Sequence, residues 1–185
     1  MKRNSLIIII AVFSVITTAC GNRTSTQEEK TLIAYFSLTG NTRTAAEHIQ
    51  AVVGGELFTI QTALEYSEDF QEILERARYE LANDVRPELA YNLNNFDAFD
   101  VIFLGYPIWA NTVPMAIRTF IETYDLSGKT VVLFSTSGRG DNVQSVADLR
   151  EWLPDVNIID AFNVNRENIG NSQVLFTEWT TTLEL

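Results

Sequence analysis

Histidine and cysteine each occur once in the 185 residues, and proline only four times. A lone imidazole, His48, cannot form a histidine cluster for a metal, and its place within a helical pattern reads as a solvated helix position. The single thiol, Cys20, cannot close an intramolecular disulfide. Beyond that residue no thiol remains for cysteine catalysis or for an iron–sulfur cluster. Basic residues are scarce as well, 13 Lys and Arg against 24 Asp and Glu, for a net charge of −11. Such a surface repels nucleic acid and favours encounters with basic partners, so no nucleic-acid partner is expected. No Gly-Lys-Ser/Thr follows a glycine-rich loop, which excludes a Walker-type phosphate site, and no GxGxxG supports a dinucleotide fingerprint. Internal repeats and low-complexity segments are absent too.

The longest apolar run lies near the start, at residues 6–16, interrupted only by Ser14. It is shorter than the roughly 20 residues a spanning helix needs. Lys2 and Arg3 precede it, and Thr17-Thr18-Ala19-Cys20-Gly21 supplies small residues after it, the order of a secretory signal. The segment is similar to a bacterial lipoprotein signal, which implies lipidation at Cys20, a membrane anchor there and an extra-cytoplasmic location. Residues 1–19 are therefore expected to be the signal, 20–29 the lipidated cysteine and a polar tether, and 30–185 the folded domain. Removing 1–19 takes away Lys2 and Arg3 and no acid, leaving 11 basic against 24 acidic residues and a net charge of −13.

Within that domain strands and helices alternate. Apolar segments at 32–36, 56–60, 99–105, 129–134 and 157–162 read as strands, with the second the least apolar and suited to an edge. Between and after them, helical spacing appears in five places. Ala45, Ile49, Val52 and Val53 form one face of the first helix, and Phe70, Ile73, Leu74, Ala77 and Leu81 one face of a helix over 67–82. Met115, Ile117, Phe120 and Ile121 do the same for the third, followed by helices over 143–152 and 172–183. Thr112 or a neighbour is expected to cap the third, with Pro114 in its first turn. The alternation specifies an α/β doubly wound, five-stranded parallel sheet with right-handed crossovers.

The stretch between the first strand and first helix, Ser37-Leu38-Thr39-Gly40-Asn41-Thr42, is rich in hydroxyls and lacks any Lys or Arg. Placed at a helix N-terminus, where backbone N–H groups lack partners and the dipole is positive, it suits a phosphate held by neutral donors. This segment resembles the phosphate-binding loop of flavodoxins, with Ser37, Thr39, Gly40, Asn41 and Thr42 each matching a position of its hydroxyl-rich Thr-Gly-Asn/Gln-Thr pattern. The resemblance implies the flavodoxin-like strand order 2-1-3-4-5 and flavin mononucleotide (FMN) as cofactor. That order places a ligand crevice at the carboxyl ends of strands 1 and 3.

Two further loops point to the same crevice. Gly105-Tyr106-Pro107-Ile108-Trp109 is similar to the loop of short flavodoxins in which Trp lies against the isoalloxazine ring. By that likeness Pro107, Ile108, Trp109, Ala110 and Asn111 are cofactor-binding candidates. The resemblance also implies that a peptide next to Trp109 flips during one-electron chemistry, and Ala110 in place of glycine predicts weak support for that state. Ser135 to Asp141 resembles the second flavin loop, giving Thr136, Ser137, Gly138, Gly140 and Asp141 as contacts for the pyrimidine edge. The usual aromatic after the Gly-Asp pair is missing, since Asn142-Val143-Gln144 stands there, and Tyr66 or Tyr106 could cover the exposed ring face instead. Finally, Tyr66, Arg76, Ala77, Glu80, Arg86 and Pro87 resemble a pattern of a short flavodoxin-like subgroup. The expected function is FMN-dependent electron transfer with a redox protein partner. Two alternatives stay open: an NAD(P)H-dependent quinone or flavin reductase, and a flavin-free binding module on the same fold.

Overall fold

A computed structural model describes residues 29–183. The expected signal over 1–19, the lipidation site Cys20 and nearly all of the tether lie outside the described residues. Five strands are present: β1 (Thr31–Phe36), β2 (Glu56–Ile60), β3 (Val101–Pro107), β4 (Thr130–Ser137) and β5 (Asn157–Asn165). Between and after them come α1 (Asn41–Val53), α2 (Phe70–Ala82), α3 (Met115–Thr123), α4 (Val143–Trp152) and α5 (Ser172–Thr180). All strand pairs are parallel and the order is β2-β1-β3-β4-β5. This is the flavodoxin-like doubly wound sheet.

Alternation along the strands builds two cores, as a sheet covered on both faces requires. Leu32, Ala34 and Phe36 of β1, Ile102, Leu104 and Tyr106 of β3, and Leu133 of β4 meet Ile117 and Phe120 of α3 and Leu149 of α4. On the opposite face Ile33, Tyr35, Phe103, Val132 and Phe134 meet Ala45 and Ile49 of α1 and Phe176 and Trp179 of α5. Gly105 is paired across the ladder with Phe134, whose ring occupies the space a side chain at 105 would fill. His48 is not simply solvated: its Nδ1 lies 2.8 Å from the Ser172 hydroxyl, tying α1 to the start of α5.

Three local expectations differ from the structure. The second helix begins at Phe70 rather than 67, because the Asp69 carboxylate accepts N–H bonds from Gln71 (2.8 Å) and Glu72 (3.1 Å) and so fixes the start there. Phe70 and Leu81 are exposed, whereas Glu80 is buried. Thr112 does not cap α3. Pro114 occupies the capping position without a side-chain bond, and the Thr112 hydroxyl donates to the Asp148 carboxylate of α4 instead.

Candidate functional site

The cleft starts where β1 ends. Gly40 takes the left-handed conformation (φ 88°), which glycine adopts without a Cβ penalty, and it stands at the cap position of α1 with no side chain of its own to offer. The turn is held from within: the Ser37 hydroxyl accepts the Arg43 N–H at 3.2 Å, and Asn41 Nδ2 donates to Thr39 Oγ1 at 3.4 Å. The Thr42 hydroxyl is buried and lies 2.8 Å from that of Thr136, so the first loop is joined directly to the end of β4. A glycine-led helix start flanked by hydroxyls, with Ser37 taking only one of its first-turn N–H groups, offers donors and a positive dipole end to an anion.

At the end of β3 the backbone turns over in four residues. Trp109 N–H bonds Thr112 O at 3.1 Å, and Thr112 N–H bonds Trp109 O at 2.9 Å. Ala110 (φ 48°) and Asn111 (φ 66°) are both left-handed, the pattern of a type I′ turn. For alanine that conformation costs about 1–2 kcal/mol. Glycine would relieve it at an entropic cost of about 0.5–1 kcal/mol. Ala110→Gly is therefore expected to raise the unfolding free energy by about 0.5–1 kcal/mol, measurable as a higher urea midpoint with an unchanged slope.

The indole of Trp109 rests on two other rings. Its centroid lies 5.3 Å from Phe36 and 5.0 Å from Tyr66, with interplanar angles of 83° and 71°. These are edge-to-face contacts of the favoured kind. Tyr66 is in turn clamped: its hydroxyl donates to Glu80 at 2.7 Å, and the Arg76 guanidinium sits 3.8 Å from its ring centroid and bonds Glu80 at 2.7 Å. Arg76 also donates to the carbonyls of Leu64 and Glu65, so one guanidinium organises the segment between β2 and α2. A buried carboxylate is tolerated here because it is both paired and hydrogen-bonded.

Burial, followed by the bond to Glu80 and its charge, pushes the Tyr66 phenol well above the ordinary range. Burial likewise pushes the Tyr106 phenol up to about 12. A phenol whose folded value is raised adds stability that is fully present below its unfolded value of about 10 and is lost as pH climbs through the folded value. Between about pH 10 and about pH 12 the urea midpoint is thus expected to fall, and Tyr106→Phe is expected to flatten that fall.

At the end of β4 the Ser137 hydroxyl donates to Gly140 O at 2.6 Å, and Asn163 Nδ2 donates to the same carbonyl at 3.1 Å. The Gly140 carbonyl is thus satisfied internally. The Asp141 carboxylate accepts the Val143 N–H at the start of α4.

A cleft of about 200 Å³ is lined by Leu38, Thr39, Asn41 and Thr42 from the first loop and by Pro107, Ile108 and Trp109 from the second. Thr136, Ser137 and Gly138 line it from the third. Ser37 faces a neighbouring cavity of about 650 Å³, which shares Leu38, Thr39 and Ile73 with the cleft and includes Glu65, Glu68 and Tyr91. Gly40, Asn111, Gly140 and Asp141 shape the loops without lining the cleft, and Ala110 lines a separate cavity with Met115 and Trp152. Neither tyrosine lines the cleft: Tyr106 is fully buried against Ser145, and Tyr66, 7% exposed, lines the neighbouring cavity. The cleft also contains three residues that the sequence pattern did not assign to it: Phe70, Ile73 and Arg166. Arg166 brings a basic residue to a cleft otherwise lined by neutral ones, its N–H bonding Ser137 O at 2.8 Å. Among the described residues no group of three or more His, Cys, Asp or Glu is placed to hold a metal, and no helix is long and apolar enough to cross a membrane.

This architecture recurs in solved structures. A candidate flavoprotein from Bacteroides uniformis is 34% identical, with a TM-score of 0.76 over 83% of this chain and 98% of that one. A second, from Bacteroides eggerthii, is 35% identical, with the same TM-score over 84% and 98%. A flavoprotein in complex with FMN from Lactobacillus acidophilus shares the fold at 24% identity, with a TM-score of 0.66 over 77% and 97%. No curated protein matches the chain. Residues 30–183, the whole folded unit, match the flavodoxin family, and the chain belongs to that family.

Proposed function

We propose that the protein binds FMN and carries electrons through it to and from a redox partner. The observation that carries this reading is the placement of Thr39 and Trp109 in one cleft, which the first residues of α1, Asn41 and Thr42, line as well. The residues present fit the group. Backbone N–H groups of α1 and the Thr39 hydroxyl would hold the phosphate, Trp109 would lie against the ring, and the backbone of 136–138 would meet the pyrimidine edge. The flavin supplies the electron or hydride transfer; the chain binds it, orients it and sets its polar surroundings. The FMN held by the Lactobacillus relative of the same fold supports this choice of cofactor.

A reductase reading is favoured by the 650 Å³ cavity beside the cleft, roomy enough for a small acceptor. Against it, Glu65 and Glu68 line that cavity, and carboxylates there oppose an anionic nicotinamide dinucleotide. We further propose that lipidation at Cys20 tethers the domain outside the cytoplasm, in which case Cys20→Ala releases the protein from the membrane fraction.

The test of the cofactor is the absorption spectrum of the protein purified from cells, with identification of the extracted chromophore. A flavin spectrum and extracted FMN support the proposal, and a colourless protein that takes up no FMN favours the flavin-free binding module. Rapid NAD(P)H oxidation by the loaded protein would move the function to the reductase.

A further inference from the structure

The loop after β4 brings no aromatic side chain to the cleft, yet an aromatic stands there from an unexpected quarter. Phe70, the first residue of α2, is 64% exposed and lines the same cleft as Trp109. One helical turn on, Ile73 is only 6% exposed and lines it too, so the two form an apolar ridge along the side of α2 that faces the cleft. The backbone that carries Phe70 is fixed on both sides. Ser67 Oγ accepts the Asp69 N–H at 3.0 Å, Asp69 caps the helix, and the Arg76–Glu80–Tyr66 clamp anchors the segment to the ring beneath Trp109. A large apolar ring held in water at the mouth of a cleft gains from burial as soon as a planar ligand enters.

Resting on the FMN reading above, we propose that Phe70 is a ring-contacting residue of this cleft and the aromatic partner of Trp109 for a planar heteroaromatic ligand. Phe70 carries no donor or acceptor, so it contributes contact area and shields the ring from water, and it does not read the phosphate. It should therefore act equally on FMN and on riboflavin, which keeps the ring and lacks the phosphate.

The experiment compares full-length wild type, Phe70→Ala and Phe70→Tyr by fluorescence titration with both flavins and by the rate at which bound FMN dissociates. Phe70→Ala is expected to weaken both flavins by the same factor, about tenfold to thirtyfold, and to speed FMN release correspondingly. The apo protein should unfold at an unchanged temperature, and Phe70→Tyr should restore most of the affinity. Because both rings contact one ligand, Phe70→Ala and Trp109→Ala should combine non-additively. A wild type that binds FMN alongside a Phe70→Ala variant of equal affinity and release rate overturns the role of Phe70 alone. A loss confined to FMN also overturns it, and a wild type that takes up neither flavin overturns both this role and the cofactor reading.

Discussion

Gly105→Ala is expected to lower the unfolding free energy by about 3 kcal/mol, the upper part of the usual range for overpacking a core. An ideal Cβ at 105 would stand 2.1 Å from Phe134 Cζ and within 2.7 Å of two further atoms of that ring. Phe134 is itself fully buried between the sheet and Phe176, which leaves it no free rotamer to retreat into. For a domain of this size the loss corresponds to a fall in melting temperature of about 6–12 °C. Phe134→Leu in the same chain makes room, and the double variant should recover part of the loss, a coupling that thermal unfolding of the four proteins would reveal. The site would register the same change. Gly105 lies just before the Pro107–Trp109 loop, so a displaced strand end moves the indole.

Trp109→Ala should weaken FMN binding by about seventyfold to four-hundredfold. Losing the contact of an indole face with a planar ring removes roughly 2 kcal/mol of apolar burial and a further 0.5–1.5 kcal/mol of stacking. Trp109→Phe should recover most of that, because a smaller ring still stacks. The apo protein would also be less stable, since the indole braces Phe36 and Tyr66 by edge-to-face contact. Affinity is therefore compared only where circular dichroism shows the variant folded. Fluorescence titration with FMN measures the effect, and a wild-type affinity in Trp109→Ala would remove the indole from the site.

Much of this architecture is written locally. The five strands and five helices are legible in apolar runs and helical spacing because each element buries its own face. The hydroxyl-rich loop is legible because an anion site at a helix start needs only neighbours in sequence. What escaped the sequence depends on partners far along the chain. The pattern of Tyr66, Arg76 and Glu80 is visible in the sequence, but that the phenol and the guanidinium close on one buried carboxylate is not. Thr112 reads as a helix cap until α4 brings Asp148 within reach. Phe70 fits the apolar periodicity of α2 and so reads as core. Once Asp69 fixes the helix start, Phe70 becomes the first helical residue and stands at the cleft mouth. Arg166 reaches the cleft because β5 runs to Asn165, three residues beyond the apolar segment that announces it, with Asn163 and Asn165 paired to Ser135 and Ser137. A polar strand end of that kind carries no hydrophobic signature.

On the proposed reading a phosphate and a flat ring, joined in one molecule, share a single cleft. Titrating the same protein with FMN and with riboflavin tests it most directly, because the two ligands differ only in the phosphate. Two or three charge-assisted bonds at the start of α1 predict that FMN binds at least about a hundredfold tighter, with Trp109→Ala weakening both flavins alike. Equal affinities for the two ligands, or an indole variant that binds both as the wild type does, would contradict the account.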